Sequence, residues 1–238
     1  MRSLTRGRLT AREATEPSDL ARAQALRTLA FQLAEPDRDR FDDLCTHVLV
    51  EEEGDLVACF RILHLTPGEV DRSYSAQHYD LAALRAYDGH MIEIGRFCLH
   101  PDRHQASIVR FAWRALAGYV AEHDARILFG CSSFPGTQPE PYADAFALLR
   151  QAHLAPDPWA PGPKAPQVFP YAATLDGHVI DMQRAMRSMP PLLRSYLLMG
   201  GWVSDHAVVD PQMNTMHVFT GVELHRMPPG RVQALQRA

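Results

Sequence analysis

The stretch Met91-Ile-Glu-Ile-Gly-Arg-Phe-Cys-Leu-His-Pro101 constrains this chain more than any other. Six of its first nine residues are apolar, the composition of a buried β-strand. Yet a carboxylate, Glu93, and a guanidinium, Arg96, stand in its middle. A buried charge costs several kcal/mol (about 3–5 when one partner of a pair is lost), so it has to be paired or used. Gly95 between them packs nothing, and a glycine inside a strand marks a bulge or a close backbone approach. In a regular strand residues 93 and 96 point to opposite faces. One extra residue between them would return both to the same face, so the pattern predicts a bulge and a shared site.

The rest of the composition removes several function classes. The chain has 238 residues, and its hydrophobic and charged fractions of 46% and 22% are those of a globular domain with a real core. No apolar run approaches the roughly 20 residues needed to span a bilayer. The first fourteen residues carry four Arg but no apolar core of a signal peptide, so a cytoplasmic location is expected. A net charge of −4 does not suggest nucleic-acid binding. The basic residues are 23 Arg and one Lys, Lys164. Four cysteines (Cys45, Cys59, Cys98 and Cys131) lack CxxC spacing and read as buried, reduced thiols. Of the twelve histidines, His100 and His104 are four apart and His100 is two from Cys98, but neither spacing has a second ligand pair nearby, so no metal is expected.

Periodicity orders the chain. Ser18 is a candidate cap for an amphipathic helix over residues 19–34, ended by Pro36. Residues 47–52 and 56–65 read as strands joined by a hairpin at Glu53-Gly54-Asp55. A short helix is expected near residues 80–86, then the charged strand, 90–99. The clearest helix follows over residues 104–123, with Ile108, Phe111, Ala112, Ala115, Leu116 and Tyr119 on one face and Arg103, Arg110 and Arg114 opposite. A strand over 126–132 and a helix over 141–153 come next. Nine of the 18 prolines fall between Pro135 and Pro170, which reads as a rigid irregular connection. Residues 182–199 are rich in Met and Leu with three Arg, and a last strand lies near 214–224. The order implies an α/β or α+β fold with a mixed sheet, as one domain over residues 8–224 and a C-terminal tail over 225–238.

The succession strand, charged strand, long helix, strand resembles the GNAT acyltransferase fold. Three blocks, Tyr74 to His104, Gly130 to Thr137 (GCSSFPGT) and Pro190 to Thr215, resemble the ornithine–acyl-carrier-protein N-acyltransferases, the hemolysin-like branch of that fold. The match covers roughly residues 8–224. The resemblance implies transfer of a 3-hydroxy fatty acyl group from acyl carrier protein to the α-amine of an amino acid, ornithine first among them, in aminolipid synthesis. It implies no tightly bound cofactor, the carrier's phosphopantetheine as donor, and work at the inner-membrane surface. The chain departs from the general GNAT pattern after the charged strand. Where a glycine-rich phosphate loop is usual, it reads Arg103-His-Gln-Ala-Ser-Ile108. Without glycines a close pyrophosphate cradle is disfavoured, which favours a carrier-protein donor over coenzyme A.

Transfer from a thioester to an amine requires removal of the ammonium proton, donors for the oxyanion and a leaving thiolate. The resemblance makes Glu93 the base, a backbone N–H near Gly95 the oxyanion donor and Arg96 the clamp on the acceptor's carboxylate. A buried structural ion pair is the plainer reading of Glu93 and Arg96. Phe97, Cys98, Arg103, Ser132 and Ser133 are candidates for holding the pantetheine arm, and Arg110 and Arg114 for docking the carrier protein. The Met/Leu/Arg stretch 182–199 suits a membrane interface, an acyl tunnel or ordinary core. Two rival readings are an acyl-homoserine-lactone synthase and a catalytically dead protein that binds acyl carrier protein or acyl chains.

Overall fold

A computed structural model describes residues 3–103 and 106–227. In chain order its strands are β1 (Leu4–Arg6), β2 (Leu9–Glu13), β3 (Thr46–Glu52), β4 (Asp55–Leu65), β5 (Tyr79–Asp80), β6 (His90–Leu99), β7 (Ala125–Pro135), β8 (Gly162–Pro163), β9 (Val168–Phe169), β10 (Trp202–Val203), β11 (Ala207–Asp210) and β12 (Thr215–Glu223). Its α-helices are α1 (Pro17–Ala30), α2 (Ala106–Glu122), α3 (Ala143–Ala152), α4 (Tyr171–Thr174), α5 (Met182–Ser188) and α6 (Pro191–Leu198). The described residues form two compact units, one of residues 3–64 and 92–125, the other of residues 65–91 and 126–227.

In the first unit β1, β2, β3 and β4 run antiparallel in succession and β6 lies beside β4. The turn between β3 and β4 places Glu53 and Gly54 at φ 53° and 95°, two consecutive left-handed residues, as a tight hairpin demands. Adjacent strand residues serve opposite faces. On one face α1 buries Ala23 and Leu26 against Leu49, Cys59 and Cys98. Phe60 and Phe97 are the neighbours of those cysteines in sequence, and they stack at 5.4 Å on the other face, where Phe97 also meets Trp113 of α2.

Helix α1 is shorter than the periodicity predicts. It begins at Pro17, whose missing N–H costs nothing at a first turn, so Ser18 lies inside rather than at the cap. It ends at Ala30, and Gln32 turns the chain at φ 54°. The Thr28 hydroxyl then accepts a hydrogen bond from the Asp37 N–H at 2.9 Å and draws the following segment back over the helix. Leu33 therefore leaves the helical stripe, because the chain has to deliver Asp37, Asp39 and Asp42 inward.

In the second unit β7, β12, β11 and β9 form an antiparallel array, with β10 on β12 and a separate β5–β8 pair. Residues 135–170 are not irregular throughout. They contain α3, and Ala145, Phe146 and Leu149 of that helix pack with Phe134, Tyr171, Met189 and Leu193 into a closed core. Several of its prolines stand at element starts, where a proline is tolerated. The tail expected over 225–238 lies outside the described residues from position 228 onward.

Gly201 has the Tyr196 carbonyl oxygen 2.6 Å from where a Cβ would stand, whereas Gly118 in α2 has open space. Gly201→Ala is expected to destabilise the protein by about 1–3 kcal/mol and Gly118→Ala to stabilise it by about 0.5–1 kcal/mol, both read by denaturant unfolding.

Candidate active site

The charged strand is irregular where the sequence predicts it. Arg96 sits at φ 52°, a left-handed conformation in the middle of β6. A Cβ on Gly95 would lie 3.2 Å from Nε of Arg61, so Gly95 turns toward Arg61. Arg96 extends its guanidinium to Asp37 and Asp39, and Asp39 also receives Arg61. Two consecutive residues, 95 and 96, thus address the same face of the sheet, which is what an inserted residue does. Glu93, two residues before Gly95, falls on that face by strand alternation and is 4% exposed.

That face holds a closed ring of charges. Arg27 of α1 reaches Asp37 at 2.8 Å and Asp42 at 2.8 Å. Arg61 of β4 reaches Asp42 at 3.1 Å and Asp39 at 2.7 Å. Arg96 of β6 reaches Asp39 at 3.2 Å and Asp37 at 3.0 Å. Every arginine bridges two aspartates and every aspartate two arginines. The Arg27 and Arg61 side chains are 1% and 2% exposed. Gln24 donates to Asp42 as well. Burial pushes the Asp42 and Asp39 carboxyls up, but the hydrogen bonds they accept and the charges of the neighbouring arginines together outweigh it and hold both below the usual range. Burial also lifts the nearby Cys45 thiol to about 12, against the pull of Arg61 and with Glu93 adding to the rise, so this thiol is not a nucleophile.

The ring changes the reading of one candidate. The charge of Arg96 is neutralised by two aspartates of its own chain, so a clamp on a substrate carboxylate is not needed to explain it. Phe97 points away from the ring into the aromatic stack beneath α2. Cys98 lies on the ring's face of the sheet, its sulfur 3.6 Å from that of Cys59. Arg103 is engaged by Glu52 at 3.1 Å. The neighbouring His104 and Gln105 lie outside the described residues. Arg110 is exposed and Arg114 half-buried on α2, and neither makes an ion pair among the described residues.

In the second unit Ser132 is buried on β7 and accepts a hydrogen bond from the Thr220 hydroxyl at 2.9 Å, while Ser133 is exposed and stands opposite His217. A histidine cluster that no spacing announced surrounds that position. The Tyr79 hydroxyl donates to the His217 carbonyl at 2.7 Å, so its 2.9 Å contact with Nδ1 of His217 uses a proton on that nitrogen. Nε2 of His217 is left as a buried lone pair with no partner among the described residues. Burial, reinforced by His78 and His206, lowers this imidazole to about 3 and keeps it neutral at physiological pH. His206 hydrogen-bonds Asp205 through Nδ1 at 2.6 Å. Among the described residues no group of three or more His, Cys, Asp or Glu is placed to hold a metal ion.

Sequence reasoning found β6 and its bulge but missed Arg27, Arg61 and the three aspartates. The signal was available. Arg61 interrupts the apolar run VACFRILHL, the same anomaly that singled out Glu93 and Arg96.

Comparisons with known proteins bear on the fold and the family. Residues 23–114 match the acetyltransferase (GNAT) domain family. An L-ornithine Nα-acyltransferase of Rhodobacter capsulatus is 35% identical over 199 residues, covering 80% of this chain and 76% of the relative. A Brucella abortus protein of the same name is 29% identical, covering 80% of this chain and 71% of that one. Among solved structures, FeeM, an N-acyl amino acid synthase from uncultured soil microbes, superposes with a TM-score of 0.54 at 12% identity over 92% of both chains. The loading GNATL domain of CurA from Lyngbya majuscula gives 0.51 at 12% identity, over 91% of this chain and 98% of that one. The fold is that of the GNAT acyltransferases.

Asp42→Asn is expected to cost about 3–5 kcal/mol at pH 7, because it leaves buried guanidiniums undercompensated. The folded-state carboxyls of Asp39 and Asp42 lie below their unfolded values, so their contribution is whole above about pH 4 and drains away as pH falls toward the folded values. The gap between wild type and Asp42→Asn in denaturant unfolding should therefore narrow below pH 4.

Proposed function

Because the chain belongs to the L-ornithine Nα-acyltransferase family, we propose that it moves a fatty acyl group, a 3-hydroxy acyl chain in particular, from the thioester of an acyl carrier protein to the α-amine of ornithine. The observation that carries the reading is the bulged strand that holds the buried Glu93 beside Gly95, in a chain 35% identical to a relative of that name. Glu93 takes the proton from the acceptor's ammonium, directly or through one water. The freed amine attacks the thioester carbonyl. A backbone N–H at the Gly95–Arg96 bulge meets the developing oxyanion. The attack forms the C–N bond and a tetrahedral oxyanion; its collapse breaks the C–S bond, and the departing thiolate takes up the second proton shed by the nitrogen to leave as the carrier's pantetheine thiol. Residues 8–224 act as one catalytic domain.

Arg96 has a different part from the acceptor clamp first expected. Held by Asp37 and Asp39, it fixes the left-handed turn of the strand and so the direction in which the Gly95 backbone faces. Arg110 and Arg114, with no ion pair among the described residues, suit the acidic surface of a carrier protein. Phe97 and Cys98 lie on opposite faces of β6, so only one of them can line the donor's path; Arg103, Ser132 and Ser133 are each proposed as donor contacts. No helix of the described residues is long and apolar enough to cross a membrane. The reading places work at the inner-membrane surface, where a lyso-aminolipid product is released.

Three assays test the reading. Incubation with acyl carrier protein and coenzyme A thioesters against an amino-acid panel, read by mass spectrometry, should give Nα-acyl ornithine from the carrier protein and little from coenzyme A. Glu93→Gln should lower kcat by about 10²–10⁴-fold with its thermal unfolding preserved, the loss ordinary for removal of a general base; full turnover would remove Glu93 from that role. Arg110→Ala with Arg114→Ala should raise KM for the acylated carrier protein about tenfold and leave KM for ornithine unchanged, the signature of lost charge complementarity on one substrate alone.

A further inference from the structure

Exposed large hydrophobic side chains gather on one short part of the second unit. Val179 is 90% exposed, Met182 54%, Met186 44% and Leu198 57%. Met182 and Met186 are four residues apart on α5 and share a face, while Ala185 and Met189 turn inward. Arg194 and Leu198 are likewise four apart on α6, whose Leu193 and Tyr196 are buried. The two exposed faces adjoin, since Arg194 donates to the Met186 carbonyl oxygen at 3.2 Å. Asp181 caps α5 by accepting from the N–H groups of Gln183 and Arg184, which holds the exposed methionines on a formed helix rather than a frayed one.

The charges around this face are unequal. Asp144 is taken up by His178 and Arg184, and Asp176 by Arg150. Asp181 is spent at the α5 N-terminus, the end away from Arg187. Arg187 makes no ion pair among the described residues, and the hydrogen bond of Arg194 to a carbonyl leaves its charge uncompensated. The result is an exposed apolar face with two available guanidiniums beside it.

We propose that this face, with Val179, Met182, Met186 and Leu198 as its apolar contacts and Arg187 and Arg194 as its cations, seats the protein on an anionic phospholipid surface. Methionine side chains that stand off a helix suit a deformable interface, whereas a folded partner would need a fitted one. Guanidiniums beside such a face pair with lipid phosphates and add to binding in proportion to the surface's negative charge. Apolar area predominates here over charge. That favours a bilayer over an acidic carrier protein, for which the cations would have to supply most of the attraction.

Co-sedimentation of the full chain with vesicles tests this without any turnover, so its outcome is independent of the acyltransferase reading. Wild type should bind vesicles containing phosphatidylglycerol, and bind phosphatidylcholine vesicles about tenfold more weakly. Met182→Asp with Met186→Asp should abolish binding to both. Arg187→Ala with Arg194→Ala should remove the preference for the anionic lipid. Val179→Trp should show a blue-shifted emission on adding anionic vesicles, which also reports on protein that has remained folded. If wild type fails to sediment and the tryptophan does not shift, the proposal is overturned. It is equally overturned if the methionine variant, with an unchanged melting temperature, binds vesicles normally but loses affinity for purified acyl carrier protein, which would make the face a protein-docking site.

Discussion

Three arginines and three aspartates close into a ring in the first unit, and the geometry of the candidate site depends on it. Each of Arg27, Arg61 and Arg96 comes from a different element, α1, β4 and β6 in turn, while all three aspartates come from the single segment between α1 and β3. The segment has no regular structure of its own at Asp37 and Asp39 and is shaped by the charges it carries inward. Buried ion pairs are weak evidence for net stability, because apolar replacements of equal volume often do as well. What they supply here is direction: only one placement of the helix, the loop and the two strands pairs all six groups.

The bulge follows from the same constraint. A regular β6 would send residue 96 to the side occupied by Phe97's aromatic stack, where no carboxylate is found among the described partners of that stack. Left-handed backbone at a non-glycine residue costs about 1–2 kcal/mol, and two charge-assisted hydrogen bonds are enough to offset it. The neighbouring Gly95 is favoured for a separate reason, since a Cβ there would crowd the Arg61 side chain at 3.2 Å. One residue is thus glycine for room, and the next is strained for charge. The backbone between them faces a direction an unbroken ladder would not permit.

How much of this was legible in the sequence depended on whether a residue contradicted its surroundings. Glu93 and Arg96 did so inside an apolar run, and the bulge could be inferred from their spacing alone. Arg61 made the same contradiction in β4 but lacked a glycine beside it to draw attention. The aspartates were not legible, because Pro36-Asp-Arg-Asp-Arg-Phe-Asp has the composition of a solvated loop and only the tertiary partners reveal that Asp37 and Asp42 are buried. The histidine cluster was hidden for another reason. His78 and His217 meet across a separation of well over a hundred residues, with Tyr79 bonded to His217, and no local period encodes such a meeting. The proline-rich region misled because proline marks both breaks and beginnings, and here several open the elements that frame α3.

The ring also has a kinetic meaning. Its members close only when α1, the loop after it, β4 and β6 are all in place, and β6 enters the chain well after the others. Such contacts carry a large loop-closure cost and form after the local hairpin of β3 and β4 and the turns of α1. Interactions made late in folding do little to speed it, and their loss is felt as faster opening. The six charges therefore act as a latch on an assembled sheet: they set how long the strand beside Arg61 stays bent and its backbone aimed, more than how quickly the sheet is reached.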